Sequence, residues 1–188
     1  FAGVNKPATM QGEIFLGQHA AQPRQFVFGA RDRCDETVFR FRTVRDARYR
    51  YIRNFTPDRP FLQPNNYKER QYPVWNLLQE LHTAGQLTPV QAALCAPTMP
   101  AEELYDLETD PHEINNLARS TQHQTVLKRL RRVLEQWIED SHDQGRVLEP
   151  ADLAARKGMT KPVTNPQTGY TLDEKTLEPK QLSVPQKK

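Results

Sequence analysis

Residues 38–55 read VFRFRTVRDARYRYIRNF, and this stretch decides the fold. From Val38 the chain alternates with the two-residue period of a β-strand, so Phe39, Phe41 and Thr43 share one face and Arg40 and Arg42 the other. Arg45-Asp46-Ala47 supplies a turn, since a short Asp side chain bonds readily to the backbone that follows it. Tyr49 and Tyr51 then alternate with Arg48, Arg50 and Ile52 on the return. The expected product is a hairpin with an aromatic face and an arginine-rich face, the aromatics turned to a core.

Upstream, Phe26-Val27-Phe28 is a compact apolar run closed by Gly29, a third strand able to pair with the hairpin. Residues 29–37, GARDRCDET, then read as a charged loop at that strand's end. Downstream, residues 56–72 contain Pro57, Pro60 and Pro64 and cannot be regular throughout. Val74, Leu77, Leu78 and Leu81 have helical spacing that Pro73 can start and Gly85 end, and Thr88-Pro89 opens a second short helix.

Residues 103–118, ELYDLETDPHEINNLA, form a corner. Glu103, Tyr105 and Leu107 alternate as a short strand, Asp110 offers an N-cap, Pro111 suits a first helical position, and Glu113 falls where a capping box needs it. Residues 121–143 carry an unbroken apolar stripe of Val126, Leu127, Leu130, Val133, Leu134, Trp137 and Ile138. That helix is expected to lie across the sheet and bury Trp137, with Arg131 and Glu135 paired along its surface.

Composition bounds the rest. The chain has 188 residues, a 37% hydrophobic share, fifteen prolines against eight glycines, and a net charge of +3. One loop-rich core fits these numbers. Residues 24–70 hold twelve Arg/Lys against six Asp/Glu, so the positive charge is concentrated there. No run approaches the roughly 18 apolar residues of a membrane span. The chain opens on Phe1, which reads as a piece of a longer polypeptide. Cys34 and Cys95 neither require nor exclude a disulfide. Residues 146–188 are polar, with scattered single leucines, and read as a tail.

Arg31, Asp32, Arg33, Asp35 and Glu36 are the densest charged cluster. Guanidinium groups suit a sulfate or carboxylate, and carboxylates accept from sugar hydroxyls. The plain alternative is a self-paired surface loop whose contacts contribute under about 1 kcal/mol each. The arginines of the hairpin, Arg40, Arg42, Arg48, Arg50 and Arg53, would meet phosphates in a nucleic-acid binder. Aromatics on the opposite face favour a solvated strand face instead, with attraction of a sulfated polysaccharide left open. Of His19, His82, His112, His123 and His142 only His112, beside Asp110 and Glu113, has metal-ligand spacing, and the corner explains that trio better; no Gly-rich phosphate loop is present.

The corner E-L-Y-D-L-x-x-D-P-x-E-x-x-N-L-A resembles a motif near the end of sulfatases of the alkaline-phosphatase-like superfamily. Leu104, Tyr105, Asp106, Asp110, Pro111, Glu113, Asn116 and Leu117 carry it. Ala2, Gly3, Val4, Pro7, Met10, Gln11, Gly12, Phe15 and Leu16 resemble the stretch that leads out of the catalytic domain of such enzymes. Phe28-Gly29 and Arg42-Thr43-Val44 bracket the charged segment as in the heparan N-sulfatase (N-sulfoglucosamine sulfohydrolase) branch. The resemblance implies an α+β fold, a small antiparallel sheet of about four strands packed by a C-terminal amphipathic helix. It divides the chain into a linker over 1–22, a subdomain over 23–143 and a polar tail over 144–188.

By the same resemblance the whole protein hydrolyses sulfate esters or sulfamates with formylglycine and calcium, whose residues lie outside this chain. This chain alone is then inactive and supplies fold support and one substrate wall, through Arg31, Asp32, Arg33, Asp35 and Glu36. Its implied partners are a sulfated carbohydrate or other sulfate ester and the N-terminal catalytic domain, with no nucleic acid and no membrane. A periplasmic or secreted location follows from the resemblance too. Cys95-Ala96-Pro97-Thr98-Met99 imitates a formylglycine motif, but Met99 stands where that motif needs arginine. The alternative is a stand-alone module that binds sulfated glycan or a protein.

Overall fold

The computed structural model describes residues 6–10, 12–34, 37–145, 147, 170–172 and 179–181. Its centre is a four-stranded antiparallel sheet in the order β1 (Val27–Cys34), β2 (Thr37–Arg45), β3 (Tyr49–Asn54), β4 (Glu102–Asp106). Three short helices interrupt the path from β3 to β4: α1 (Asn66–Gln71), α2 (Pro73–Thr83) and α3 (Pro89–Ala93). A single 3₁₀ turn leads into the long helix α4 (Gln124–Asp140), and β5 (Tyr170–Leu172) pairs with β6 (Pro179–Gln181). The α+β sheet-and-helix architecture is as expected.

The hairpin turn sets the faces of the sheet. Asp46 and Tyr49 close it through a backbone bond of 3.0 Å, and the Asp46 carboxylate accepts from the amides of Arg48 and Tyr49 at 2.9 and 2.6 Å. Only Ala47 and Arg48 lie between the closing pair, so Val44 stands opposite Tyr51 and Thr43 opposite Ile52. Side chains of cross-strand partners share a face. Arg40, Arg42 and Val44 are therefore on the tyrosine face, and Phe39 and Phe41 are on the other.

This reverses the expected segregation of aromatics from arginines. The tyrosine face is the one that α4 covers. Val44, Tyr51 and Leu104 are buried against Leu127, Leu130, Leu134 and Ile138, and Phe28 stacks on Trp137 at 5.1 Å between ring centroids. Trp137 is half-buried in that stack. On the far face Phe39 is buried between Phe41 and Phe61, at 5.3 and 6.1 Å.

The charged segment also differs from its expected form. Its residues 29–34 are strand in place of loop: β1 runs through to Cys34, because β2 is long enough to pair it as far as Cys34 opposite Thr37. The corner holds no helix. Asp110 accepts from the amides of Ile114 and Asn115 at 3.1 and 2.7 Å, while Glu113 adopts a left-handed φ of 54° and turns its carboxylate to Arg50. The edge of β4 is closed by Asn116, whose side chain accepts from Leu104 N at 3.1 Å and donates to Glu102 O at 3.1 Å. A side-chain amide thus does what a fifth strand would do. Most of the expected tail lies outside the described residues.

Candidate functional site

The strand β1 carries Arg31, Asp32 and Arg33, and its pairing separates them. Arg31 stands opposite Phe41 and Arg33 opposite Val38, so the register slips by one residue at Asp32. Asp32 alone stands against Phe39 and Arg40, so the extra residue of the bulge is on β2. Arg31 lies on the far face, its guanidinium 3.9 Å from the centroid of the Phe39 ring. Asp32 reaches the helix-covered face, where its carboxylate is 2.8 Å from Arg42 Nη1. Arg33 is paired with Val38, and its charge acts on Arg40. Asp35 and Glu36 lie outside the described residues.

What gathers at this end of the sheet is a group of guanidiniums, two of which, Arg40 and Arg42, the sequence reading assigned to a solvated face. Arg42 is fully buried, at 0% exposure, between Asp32 and Asp143. Its Nε and Nη2 donate to the Asp143 carboxylate at 2.6 and 2.9 Å. Burial opposes its charge, yet the hydrogen bonds from Asp143 and Asp32 outweigh that and raise its pKa. Arg40 Nη1 donates to Gly145 O at 2.8 Å and to Val147 O. Burial lowers the Arg40 pKa, and the neighbouring charges of Arg59, Arg42 and Arg33 push the same way against Asp32. Arg33, Arg40, Arg42 and Arg59 thus converge with Asp32 and Asp143. Parity counted from the two-residue turn is the sequence signal that would have found Arg40 and Arg42. Nothing local in the sequence singles out Arg59 or Asp143.

The other hairpin arginines are partnered as well. Arg48 holds Asp106 through Nε and Nη2 at 2.9 and 2.6 Å, Arg50 donates to Glu113 at 2.8 Å, and Arg53 lies 3.4 Å from Glu102. Arg131 reaches across to Glu102 at 2.7 Å in both of its contacts, in place of the expected pairing with Glu135. Glu102 belongs to the sheet, so this pair fastens α4 to β4. Arg48, Arg50 and Arg53 are thus each held by a carboxylate while staying partly exposed.

The family-implied calcium and formylglycine find no fitting residues in the described part. Among the described residues no three His, Cys, Asp or Glu side chains group as a metal set. Cys34 and Cys95 are free thiols. Cys95 is half-buried beneath α2, with Sγ 3.8 Å from Leu78 O, and burial pushes its pKa up, away from thiolate character.

The relatives agree with the corner motif. An ulvan-active sulfatase of Formosa agariphila is 36% identical over 140 residues, which is 74% of this chain and 23% of that protein. The chain is homologous to the C-terminal portion of sulfatases. Human N-sulphoglucosamine sulphohydrolase is 32% identical over 142 residues, 74% of this chain and 28% of that protein. The chain therefore spans about a quarter of the length of these two curated relatives. A solved 2-O GAG sulfatase superposes with a TM-score of 0.49 at 20% identity, over 78% of this chain and 24% of that one. No protein-family model matches the chain. Within this sulfatase region the corner is architecture: its Asp106, Asp110, Glu113 and Asn116 are each engaged by an internal bond.

Proposed function

We propose that this chain is the C-terminal part of a hydrolase of sulfate esters or sulfamates of sulfated glycans, with the reacting centre in preceding sequence. The observation that carries the reading is the alignment with two differently named sulfatases, one ulvan-active and one an N-sulphoglucosamine sulphohydrolase, each over the same share of this chain. Residues 1–22 would close the catalytic part, 23–143 form the subdomain, and 144–188 the tail. Formylglycine and calcium would be held upstream, where the chemistry of sulfate transfer to an activated nucleophile would take place. A periplasmic or secreted location fits glycan substrates, and among the described residues no helix is long and apolar enough to cross a membrane.

The role proposed for this chain is positional. Arg31, Asp32, Arg33, Asp35 and Glu36 would form one wall of the substrate pocket. Arg31 is stacked on Phe39, an aromatic face that holds its charge in place. Asp32, already paired with Arg42, would act by fixing the bulge. The stand-alone glycan-binding module is weakened by the engagement of the hairpin arginines with carboxylates and carbonyls. Release of inorganic sulfate from a panel of sulfated glycans tests the reading. The longer polypeptide carrying this chain is expected to release sulfate, and the 188-residue chain alone to release none. A longer polypeptide without a formylglycine motif, or salt-sensitive heparin binding by the chain alone with no sulfate release by either, would overturn it.

A further inference from the structure

The helix α4 ends in a way that sends the chain back to the sheet. His142 takes a left-handed φ of 52°, and the closing bonds run from His142 N to Glu139 O at 3.1 Å and from Asp143 N to Ile138 O at 3.0 Å. That pattern stops a helix and turns the backbone away from its axis. It delivers Asp143 to Arg42, which is fully buried. Nε and Nη2 of Arg42 take both Asp143 oxygens, at 2.6 and 2.9 Å, while Nη1 donates to Phe41 O at 2.7 Å and lies 2.8 Å from the Asp32 carboxylate. The returning strap is itself held: Gly145 N donates to Asp143 at 3.2 Å, and Arg40 donates to Gly145 O at 2.8 Å.

A bidentate carboxylate already matches a guanidinium in charge and in geometry. With Asp143 in place Arg42 is neutralised, yet Asp32 stands beside it with its side chain 54% exposed. The Asp143–Arg42–Asp32 row therefore carries a surplus negative charge, and its solvent-facing end is on β1. Without Asp143 the buried guanidinium would draw Asp32 inward, because a buried charge that loses its partner is strongly destabilising. We propose that Asp143 is a positioning residue of the substrate wall, acting through Arg42 to keep the Asp32 carboxylate outward. In addition to fixing the bulge, Asp32 then accepts from a hydroxyl of the glycan. The inference rests on the sulfatase reading and on the place given to Asp32 in it. It brings into the wall a residue from beyond α4, on the far side of the sheet's covering helix from β1 in sequence.

The test is steady-state sulfate release by the longer polypeptide, on the sulfated glycan it desulfates fastest, with Asp143→Asn, Asp32→Asn and the double variant. A glycan hydroxyl that loses its charged acceptor raises KM by about tenfold. Asp143→Asn is expected to show that rise with kcat per folded molecule within about twofold, the signature of lost uniform binding. The double variant is expected to show no greater rise than Asp32→Asn alone. A residue that only supports the fold lowers the folded fraction and leaves KM in place, so an unchanged KM in Asp143→Asn would overturn the proposal. Rises that multiply in the double variant would overturn it too, because Asp143 would then act by another route. If Asp143→Asn fails to fold, Asp143→Glu keeps the charge and moves it by a methylene. A raised KM that is absent in the Asp32→Asn background is then expected, and an unchanged KM overturns the proposal. No sulfate release by the unaltered polypeptide would remove the sulfatase reading and this inference with it, whereas release with a KM indifferent to Asp143 would remove the inference alone.

Discussion

Glu102 of β4 joins two other elements, α4 and β3, around the core. Its carboxylate accepts from Arg131 of α4 and from the Tyr51 hydroxyl of β3, and Arg53 lies close by. Burial works against its charge, yet the Arg131 and Tyr51 bonds hold its pKa below the ordinary value. Glu102→Gln keeps the shape and removes the charge. A loss of about 1–3 kcal/mol is expected in urea unfolding, the range for hydrogen bonds to charged groups. Glu103, one residue on, faces the opposite side and behaves oppositely. Burial raises its pKa, the nearby Glu113 adds to the rise, and the Tyr105 hydroxyl that donates to it works against both. A raised folded pKa contributes stability below the ordinary value and loses it as pH rises through the folded value. Glu103→Gln has no such titration. Its stability relative to the unaltered chain is therefore expected to improve from pH 4 to pH 8, and a difference independent of pH would contradict this.

At the scale of elements, the hairpin, the α4 stripe, and the starts of α2 and α3 were legible in sequence. Period-two and period-3.6 patterns and proline positions are local, and a local pattern needs no tertiary information. The faces of the hairpin were misread because parity depends on the closing pair of the turn. Asp46 pairs with Tyr49, and a one-residue error there exchanges the two sides of the sheet. The corner was misread for a related reason. The Asp-Pro start is shared by helices and tight turns, and the choice was made by Arg50, which draws Glu113 away from the cap. Burial of Arg40 and Arg42 could not be seen in the chain, because their partners lie about a hundred residues later at Asp143, Gly145 and Val147.

Three predictions belong to these elements. Leu134 is buried between α4 and the sheet, so Leu134→Ala is expected to cost about 2–5 kcal/mol in the same unfolding measurement. At Gly145 an added Cβ would lie 1.3 Å from Arg42 Nη2. Gly145→Ala must therefore displace the guanidinium or the backbone, and a lower melting temperature is expected. Acid unfolding follows from the carboxylates. Arg48 is the largest influence holding Asp106 low, and amides of Asn115 and Ile114 hold Asp110 low. Depressed folded values give stability that is present above the ordinary carboxylate range and lost as pH falls through them. Asp106→Asn should flatten the acid limb of a stability–pH curve below about pH 4.

For the whole molecule, the surface is unfinished in a consistent manner. Phe15 is 82% exposed, and Leu16, Met10 and, on α2, Val74 and Leu77 join it as uncovered apolar groups. A sheet with one side under α4 and an apolar excursion on the other is the form expected of a subdomain that completes a larger enzyme. The corner, which carries the family resemblance, has its polar groups spent on structure. The side chains proposed to meet substrate stand on β1, where Arg31 rests on an aromatic ring and Arg33 belongs to the guanidinium group around Arg40. Steady-state sulfate release by the longer polypeptide, compared among Arg31→Ala, Arg33→Ala and Arg48→Ala, tests this division most directly. The account predicts that kcat/KM falls at least tenfold more for Arg31→Ala or Arg33→Ala than for Arg48→Ala, whose partner Asp106 lies in the corner. Equal losses in all three variants would contradict it.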